Sequence, residues 1–174
     1  MKSIAVLICT CLFWVGLTCV PSPAGQFIFQ SYNKPVPLPQ FSLENLAGKS
    51  VSIRDYRGQV LLLNFCATWC TACRKEDPSL EKLFTQYSSK GLVLFFIIPK
   101  ENKETIQKFM EKESLHMPVL LDETGKVGRL FGVWAQPTSY LIDCHGIVRY
   151  RVMGAVDWTG LEATSVIDHL LQEN

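Results

Sequence analysis

The run Val60-Leu61-Leu62-Leu63-Asn64-Phe65, followed after three residues by Trp69-Cys70-Thr71-Ala72-Cys73, decides the fold of this chain. A continuous apolar run of this length is the mark of a strand buried on both faces of a sheet. Beyond the cysteines, Leu80, Leu83, Phe84 and Tyr87 recur at helical spacing. The two cysteines therefore stand where a buried strand ends and a helix begins. A helix N-terminus carries unsatisfied N–H groups and a partial positive charge, which favour a thiolate over a thiol. A free thiol with pKa about 8.5 is only a few per cent ionised at neutral pH; brought to about 7 it is half thiolate and attacks disulfides. A C-x-x-C also serves zinc sites, but a structural zinc needs two further ligands, and the chain has no second C-x-x-C and no H-x-x-x-H. A purely structural disulfide is the other alternative. The strand–helix context favours redox chemistry at Cys70 and Cys73.

Downstream, Leu92–Ile98 reads as a second buried strand ended by Pro99. Lys103–Glu113 follows as a helix with Ile106, Phe109 and Met110 inward, then Val119–Leu121 as a short strand and Val127–Phe131 as a short helix. Thr138–Ile142 and Ile147–Met153 are strands joined by the tight turn Asp143-Cys144-His145-Gly146. Asp157 is expected to cap a last helix carrying Leu161, Val166, Ile167 and Leu170 inward. Upstream, Phe41–Leu46 and Val51–Ile53 form an N-terminal β-hairpin across the turn Ala47-Gly48-Lys49-Ser50. Residues 25–39, with Pro35, Pro37 and Pro39 alternating, read as an extended linker. Strands joined by helices require parallel neighbours, and the late hairpin adds antiparallel ones. The expected class is α/β, a central mixed β-sheet flanked by helices over residues 40–174.

The first 24 residues differ from the rest. Lys2 precedes the uncharged, mostly apolar run Ile4–Val20 and then Pro21-Ser22-Pro23-Ala24. This reads as a secretory signal peptide cleaved after Ala24, or as an uncleaved membrane anchor. Cys19 raises a lipidated end, although Gly16-Leu17-Thr18 fits a lipidation box poorly. Each reading puts the domain outside the cytoplasm. Cys9, Cys11 and Cys19 then leave the fold argument, and Cys66, Cys70, Cys73 and Cys144 remain. A surface C-x-x-C in an oxidising compartment stays oxidised unless a partner reduces it, which calls for an electron donor. The 174 residues carry a net charge of +1 and 48% hydrophobic content, a globular balance with no signature of a nucleic-acid partner. Neither a metal nor another cofactor is expected.

The order of elements, with Trp69-Cys70-Thr71-Ala72-Cys73 after the first buried strand, resembles the thioredoxin fold. More narrowly the chain resembles the extracytoplasmic TlpA/ResA-type thiol–disulfide oxidoreductases, within the AhpC/TSA-related part of that superfamily. The matching letters are Phe41-Ser42-Leu43, Gly48-Lys49, Leu62-Leu63-Asn64-Phe65, Ala67-Thr68-Trp69-Cys70, Pro78, Gln136-Pro137-Thr138 and Leu141-Ile142-Asp143. They span about residues 40 to 172. The resemblance implies that Cys70 is the attacking thiol and Cys73 the resolving thiol of a redox-active disulfide. It implies a cis Pro137 with the Gln136 carbonyl facing the disulfide, and Trp69 as a shield beside it. Glu76 either tunes the thiols and relays protons or is a solvated helix charge beside Arg74 and Lys75. The implied activity is reduction of protein disulfides outside the cytoplasm, in the periplasm or at an anchoring membrane, with cytochrome c maturation as one setting and a membrane thiol donor as electron source.

Two departures stand out. Asn64 occupies the strand position where cytoplasmic thioredoxins carry a buried acid, so that proton relay is expected to be missing. Cys66 stands where many relatives have an aromatic; it is either a buried inert thiol, a partner for exchange with Cys70, or a metal ligand. Cys144 reads as a free surface thiol or an intermolecular link at the far end of the sheet. Two rival functions remain. One is a peroxiredoxin-like peroxidase, although Thr68 lacks the Thr-x-x-Cys spacing to Cys70. The other is a copper-binding module using Cys70 and Cys73, for which no distant histidine can be placed.

Overall fold

The computed structural model describes residues 29–173. The elements in chain order are β1 (Phe29–Pro37), β2 (Ser42–Asn45), β3 (Ser50–Ser52), β4 (Val60–Phe65), α1 (Thr71–Tyr87), β5 (Leu92–Pro99), α2 (Lys103–Lys112), β6 (Val119–Asp122), α3 (Lys126–Leu130), β7 (Thr138–Ile142), β8 (Ile147–Met153) and α4 (Leu161–Gln172). One sheet holds all eight strands in the order β1-β8-β7-β4-β5-β6-β2-β3. β4 pairs parallel with β5 and antiparallel with β7, so it is covered on both edges, and all six of its residues are buried. This is the physical content of the unbroken apolar run.

Alternation along β4 divides the core. Val60 and Leu62 face a layer built on α1, α2 and α4, with Leu80, Leu83, Ile106, Phe109, Ile167 and Leu170. Leu61, Leu63 and Phe65 face the other layer, with Ile53, Phe95, Ile97, Val127, Tyr140 and Ile142. The sheet is thus mixed and flanked by helices on both faces, the thioredoxin arrangement. The N-terminal hairpin forms as expected, Leu43 opposite Val51, and docks on the sheet through β2 against β6.

Three expectations are corrected. Residues 29–37 are not a free linker; they are an edge strand antiparallel to β8, from Phe29 opposite Val152 to Pro37 opposite Ile147. Phe29 is buried edge-to-face against Tyr150 and Trp158, with centroids 6.1 and 5.9 Å away. The prolines are tolerated because an edge strand has one side with no ladder to feed, and the pairing is irregular between Ser31 and Val36. Asp157 does not cap α4. Gly160 occupies the cap position, while the Asp157 carboxylate accepts from the Thr159 N–H at 2.9 Å and from its hydroxyl, closing a local turn. Leu161 accordingly precedes the buried stripe and is 83% exposed; Ala163, Ile167 and Leu170 face inward. The readings for residues 1–24 lie outside the described residues. Among the described residues, no helix is long and apolar enough to cross a membrane.

Candidate active site

Cys70 and Cys73 are joined in a disulfide at the start of α1, their Cα atoms 5.3 Å apart. Cys70 is the N-cap: its backbone is extended and its sulfur accepts the Cys73 N–H at 3.2 Å. The helix thus presents one of its orphan donors to Cys70, the interaction that stabilises a thiolate there. The approach from β4 is tied down on three sides. Glu101 accepts from both the backbone N–H and the hydroxyl of Thr68. Arg74 donates to the Thr68 carbonyl at 2.9 Å, and the Cys70 N–H donates to the Ala67 carbonyl at 3.0 Å.

The β4–β7 register sets Phe65 opposite Thr138, which carries the preceding Gln136–Pro137 peptide up beside the cysteines. That bond is cis. The Gln136 carbonyl oxygen lies 3.7 Å from the Cys70 sulfur. Cys70 is 7% exposed and Cys73 is sealed. The exposed side of Cys70 opens on a cleft of about 360 Å³ whose walls include Trp69, Trp134, Lys100, Arg129 and Gln136. Trp69 is 70% exposed and Trp134 78%, so the tryptophans stand up as walls.

Beneath the disulfide, α1 sends a carboxylate into the sheet. Glu76 Oε1 accepts from Asn64 Nδ2 at 2.8 Å; Oε2 accepts from the Val156 N–H at 3.2 Å and from the Trp158 indole N–H at 3.3 Å. Asn64 Nδ2 also donates to the Ser139 hydroxyl at 2.8 Å. The solvated reading of Glu76 is therefore wrong. Asn64 stands on the strand in place of an acid, and Glu76 brings a buried carboxylate against it from the helix. Burial pushes the Glu76 carboxyl up to about 7, against the opposing pull of the three donors. Asp77 is buried beside it with neither carboxylate oxygen hydrogen-bonded. Burial and the Glu113 charge raise Asp77 to about 7, with Arg74 acting in the other direction. Cys66 is fully buried, its thiol pushed up by burial and then by Asp77 and Glu76. It is a protonated thiol at neutral pH.

The structure brings together Cys70, Cys73, Trp69, Gln136 and Pro137 around the disulfide, with Trp69 exposed, Cys73 and Pro137 buried, and Glu76 buried one turn further along α1. Cys144 sits in the β7–β8 turn, at the other end of β7 from Pro137. His145 is a turn residue whose N–H donates to Asp143, as expected. Sequence reasoning missed Trp134, Lys100, Arg129 and Trp158, which lie far from the motif in the chain, and also Asp77, which lies close to it. Only Asp77 had a visible signal, an acid at i+4 from Cys73 and so on its face of α1. Among the described residues, no group of three or more His, Cys, Asp or Glu is placed to hold a metal.

The AhpC/TSA family profile matches residues 36–151. The chain belongs to the AhpC/TSA family. Within that family it is 34% identical over 116 residues to the thiol-disulfide oxidoreductase ResA of Bacillus thuringiensis subsp. konkukian, covering 67% of each chain. It is 33% identical to the thioredoxin-like protein YneN of Bacillus subtilis, covering 83% of this chain and 89% of that one. The crystal structure of a thiol:disulfide interchange protein DsbE from Chlorobium tepidum superposes with a TM-score of 0.74 at 29% identity, covering 81% of this chain and 99% of that one. With a cysteine pair at disulfide distance in the matched region, this member of the family is a thiol–disulfide oxidoreductase.

Proposed function

We propose that the chain works outside the cytoplasm as a reductant of disulfides in exported proteins, cytochrome c maturation among its settings, fed by a membrane thiol donor. The observation that carries this reading is the unequal exposure of the two sulfurs: Cys70 opens on a cleft while Cys73 is sealed over a buried acid. The thiolate that opens on the cleft meets the substrate, and the sealed one completes the exchange.

In the reduced protein the Cys70 thiolate, held by the Cys73 N–H and the start of α1, attacks one sulfur of a target disulfide. The target S–S bond breaks, one target thiolate leaves, and a mixed disulfide forms. Cys73 then attacks the Cys70 sulfur, the second target thiol is released, and the two electrons of the dithiol end on the target. For its attack Cys73 must lose a proton. Glu76, one turn further along α1 and poised near 7, is the acceptor. Asn64 and Ser139 suit this role because an amide has a donor end and an acceptor end. With Glu76 ionised, Asn64 donates to both neighbours; with Glu76 protonated, the flipped amide accepts from both. The Gln136 carbonyl beside Cys70 offers a main-chain acceptor to the bound segment, Pro137 holds it there, and Trp69 forms one wall. Residues 1–24 serve as export signal or anchor.

A redox titration of the full chain against thiol buffers, read by alkylation of Cys70 and Cys73, tests the direction of flow. The expected couple involves two electrons and lies near the thioredoxin value of about −270 mV or lower. A value near −120 mV, that of a strong oxidant, overturns the reductant reading. Absence of a two-electron couple at this pair overturns the redox reading itself.

A further inference from the structure

The cleft beside Cys70 has a charge pattern that the exchange chemistry does not require. Its charged walls are Lys100 and Arg129, and no aspartate or glutamate lines it. Of the carboxylates nearest in sequence, Glu101 holds Thr68, Asp122 accepts from the Val127 and Gly128 N–H groups at 3.2 and 2.8 Å, and Glu123 lines a separate hollow with Ser42 and Glu44. Among the described residues, neither Lys100 nor Arg129 forms an ion pair.

Both cations are held by the local backbone. Lys100 adopts a left-handed conformation, φ 58°, uncommon for a residue with a side chain, and its N–H donates to the Asp122 carbonyl at 3.1 Å. Its aliphatic stem crosses Gly125 so closely that a Cβ at Gly125 would lie 2.8 Å from Lys100 Cε. Gly125, φ 65°, is thus needed both for its turn and for the passage of the lysine. Arg129 donates from Nη1 to the Thr124 carbonyl at 3.0 Å, a bond that uses one of its five donors. The same cleft is lined by the two exposed indoles, Trp69 and Trp134. Large apolar side chains left in water beside a reactive sulfur mark a contact surface.

We propose that this cleft selects polypeptide substrates whose target cysteine is flanked by an aspartate or glutamate, with the carboxylate received by Lys100 and Arg129 and the segment lying between Trp69 and Trp134. The inference rests on the oxidoreductase reading and adds a substrate class to it. Charge complementarity names the occupant: a basic flank would meet two uncompensated cations, an acidic flank would pair with them.

The test uses the full chain, reduced, and two synthetic peptides that differ only in glutamate or lysine next to one cysteine. Each cysteine is activated as a neutral 2-pyridyl disulfide. Attack of the Cys70 thiolate on the peptide sulfur expels thiopyridone, whose absorbance gives the rate. Cys73 then releases the peptide thiol and the enzyme is left as its disulfide. The small neutral 2-pyridyl hydroxyethyl disulfide serves as reference. At low ionic strength the glutamate peptide should react about tenfold faster than the lysine peptide, at the modest end of electrostatic steering. At roughly 0.5 M salt, where the screening length is only a few ångströms, the ratio should fall toward one. It should also fall toward one in the double variant Lys100→Gln, Arg129→Gln. The ratio is the readout because any change in the intrinsic reactivity of Cys70 cancels in it. A ratio of one in the wild type, with the neutral reference consumed, overturns the proposal, as does a preference that survives the double variant. A neutral reference left unreacted overturns the oxidoreductase reading itself.

Discussion

The residues of β4 point alternately into two cores of different character. On one side Phe65 meets Phe131 and Tyr140 at centroid distances of 5.3 and 5.9 Å, Phe131 meets Tyr140 at 5.0 Å, and Tyr56 stands edge-on to Phe95 at 4.9 Å. The Tyr140 hydroxyl has its partner in the Phe131 carbonyl at 2.6 Å. On the other side, one residue away along the strand, Asn64 meets Glu76 and Ser139, and Asp77 and Cys66 are buried nearby. Asn64 Oδ1 and both Asp77 oxygens have no hydrogen-bond partner there. An unsatisfied buried polar group costs about 1–3 kcal/mol, so the side under the disulfide gives up stability that the aromatic side keeps. The aromatic side is built for holding the sheet, and the side under the disulfide for proton chemistry.

Substitution on the aromatic side should have the largest effect. Phe65→Ala should lower unfolding free energy by about 3–5 kcal/mol in urea titrations, while the Cys70/Cys73 potential stays put. A shifted potential would mean that the two sides are not separable. A smaller effect is expected from pH on the polar side. Glu76 and Asp77, both raised to about 7, hold protons more tightly folded than unfolded. Their contribution is complete below the ordinary carboxyl range near pH 4 and is lost as pH rises through about 7. Between pH 5 and 8 the wild type should therefore lose about 2 kcal/mol more stability than Asp77→Asn, which has no carboxyl to ionise. Parallel pH curves would show that Asp77 is not protonated in the fold. Smallest in stability should be Glu76→Gln, about 1 kcal/mol, since Gln still accepts from Asn64 but turns its NH₂ toward the Val156 and Trp158 donors. Its distinctive readout is kinetic: the pH profile of Cys73-dependent mixed-disulfide release should lose its inflection near 7. An unchanged profile would remove Glu76 from proton transfer.

Much of this was legible in the sequence because it is local. The apolar run, the strand–helix junction at Cys70 and the inward stripe of α2 follow from periodicity within a few turns. The same holds for the β7–β8 hairpin, whose strand limits are those read from its turn. What was not legible depends on contacts between distant segments. Phe29 marks a strand only because Tyr150 and Trp158 wait for it at the sheet edge. Glu76 beside Arg74 and Lys75 looks like a surface charge until Asn64, Val156 and Trp158 converge on it. Trp134 and Arg129 join the cleft from α3 and the segment before β7, far along the chain from Cys70, so no single window contains them. Asp157 misled because a good capping residue can equally close a turn three residues early.

Cys70 and Cys73 divide the labour of exchange, Cys70 meeting the substrate and Cys73 resolving the mixed disulfide. Reduced Cys73→Ala and Cys70→Ala variants mixed with a peptide carrying a 2-pyridyl disulfide, followed by mass mapping of the modified cysteine, test this division directly. A stable mixed disulfide at Cys70 in Cys73→Ala and no modification of Cys73 in Cys70→Ala are expected. Rapid labelling of Cys73 in Cys70→Ala, or an unreactive Cys70 in Cys73→Ala, would contradict it.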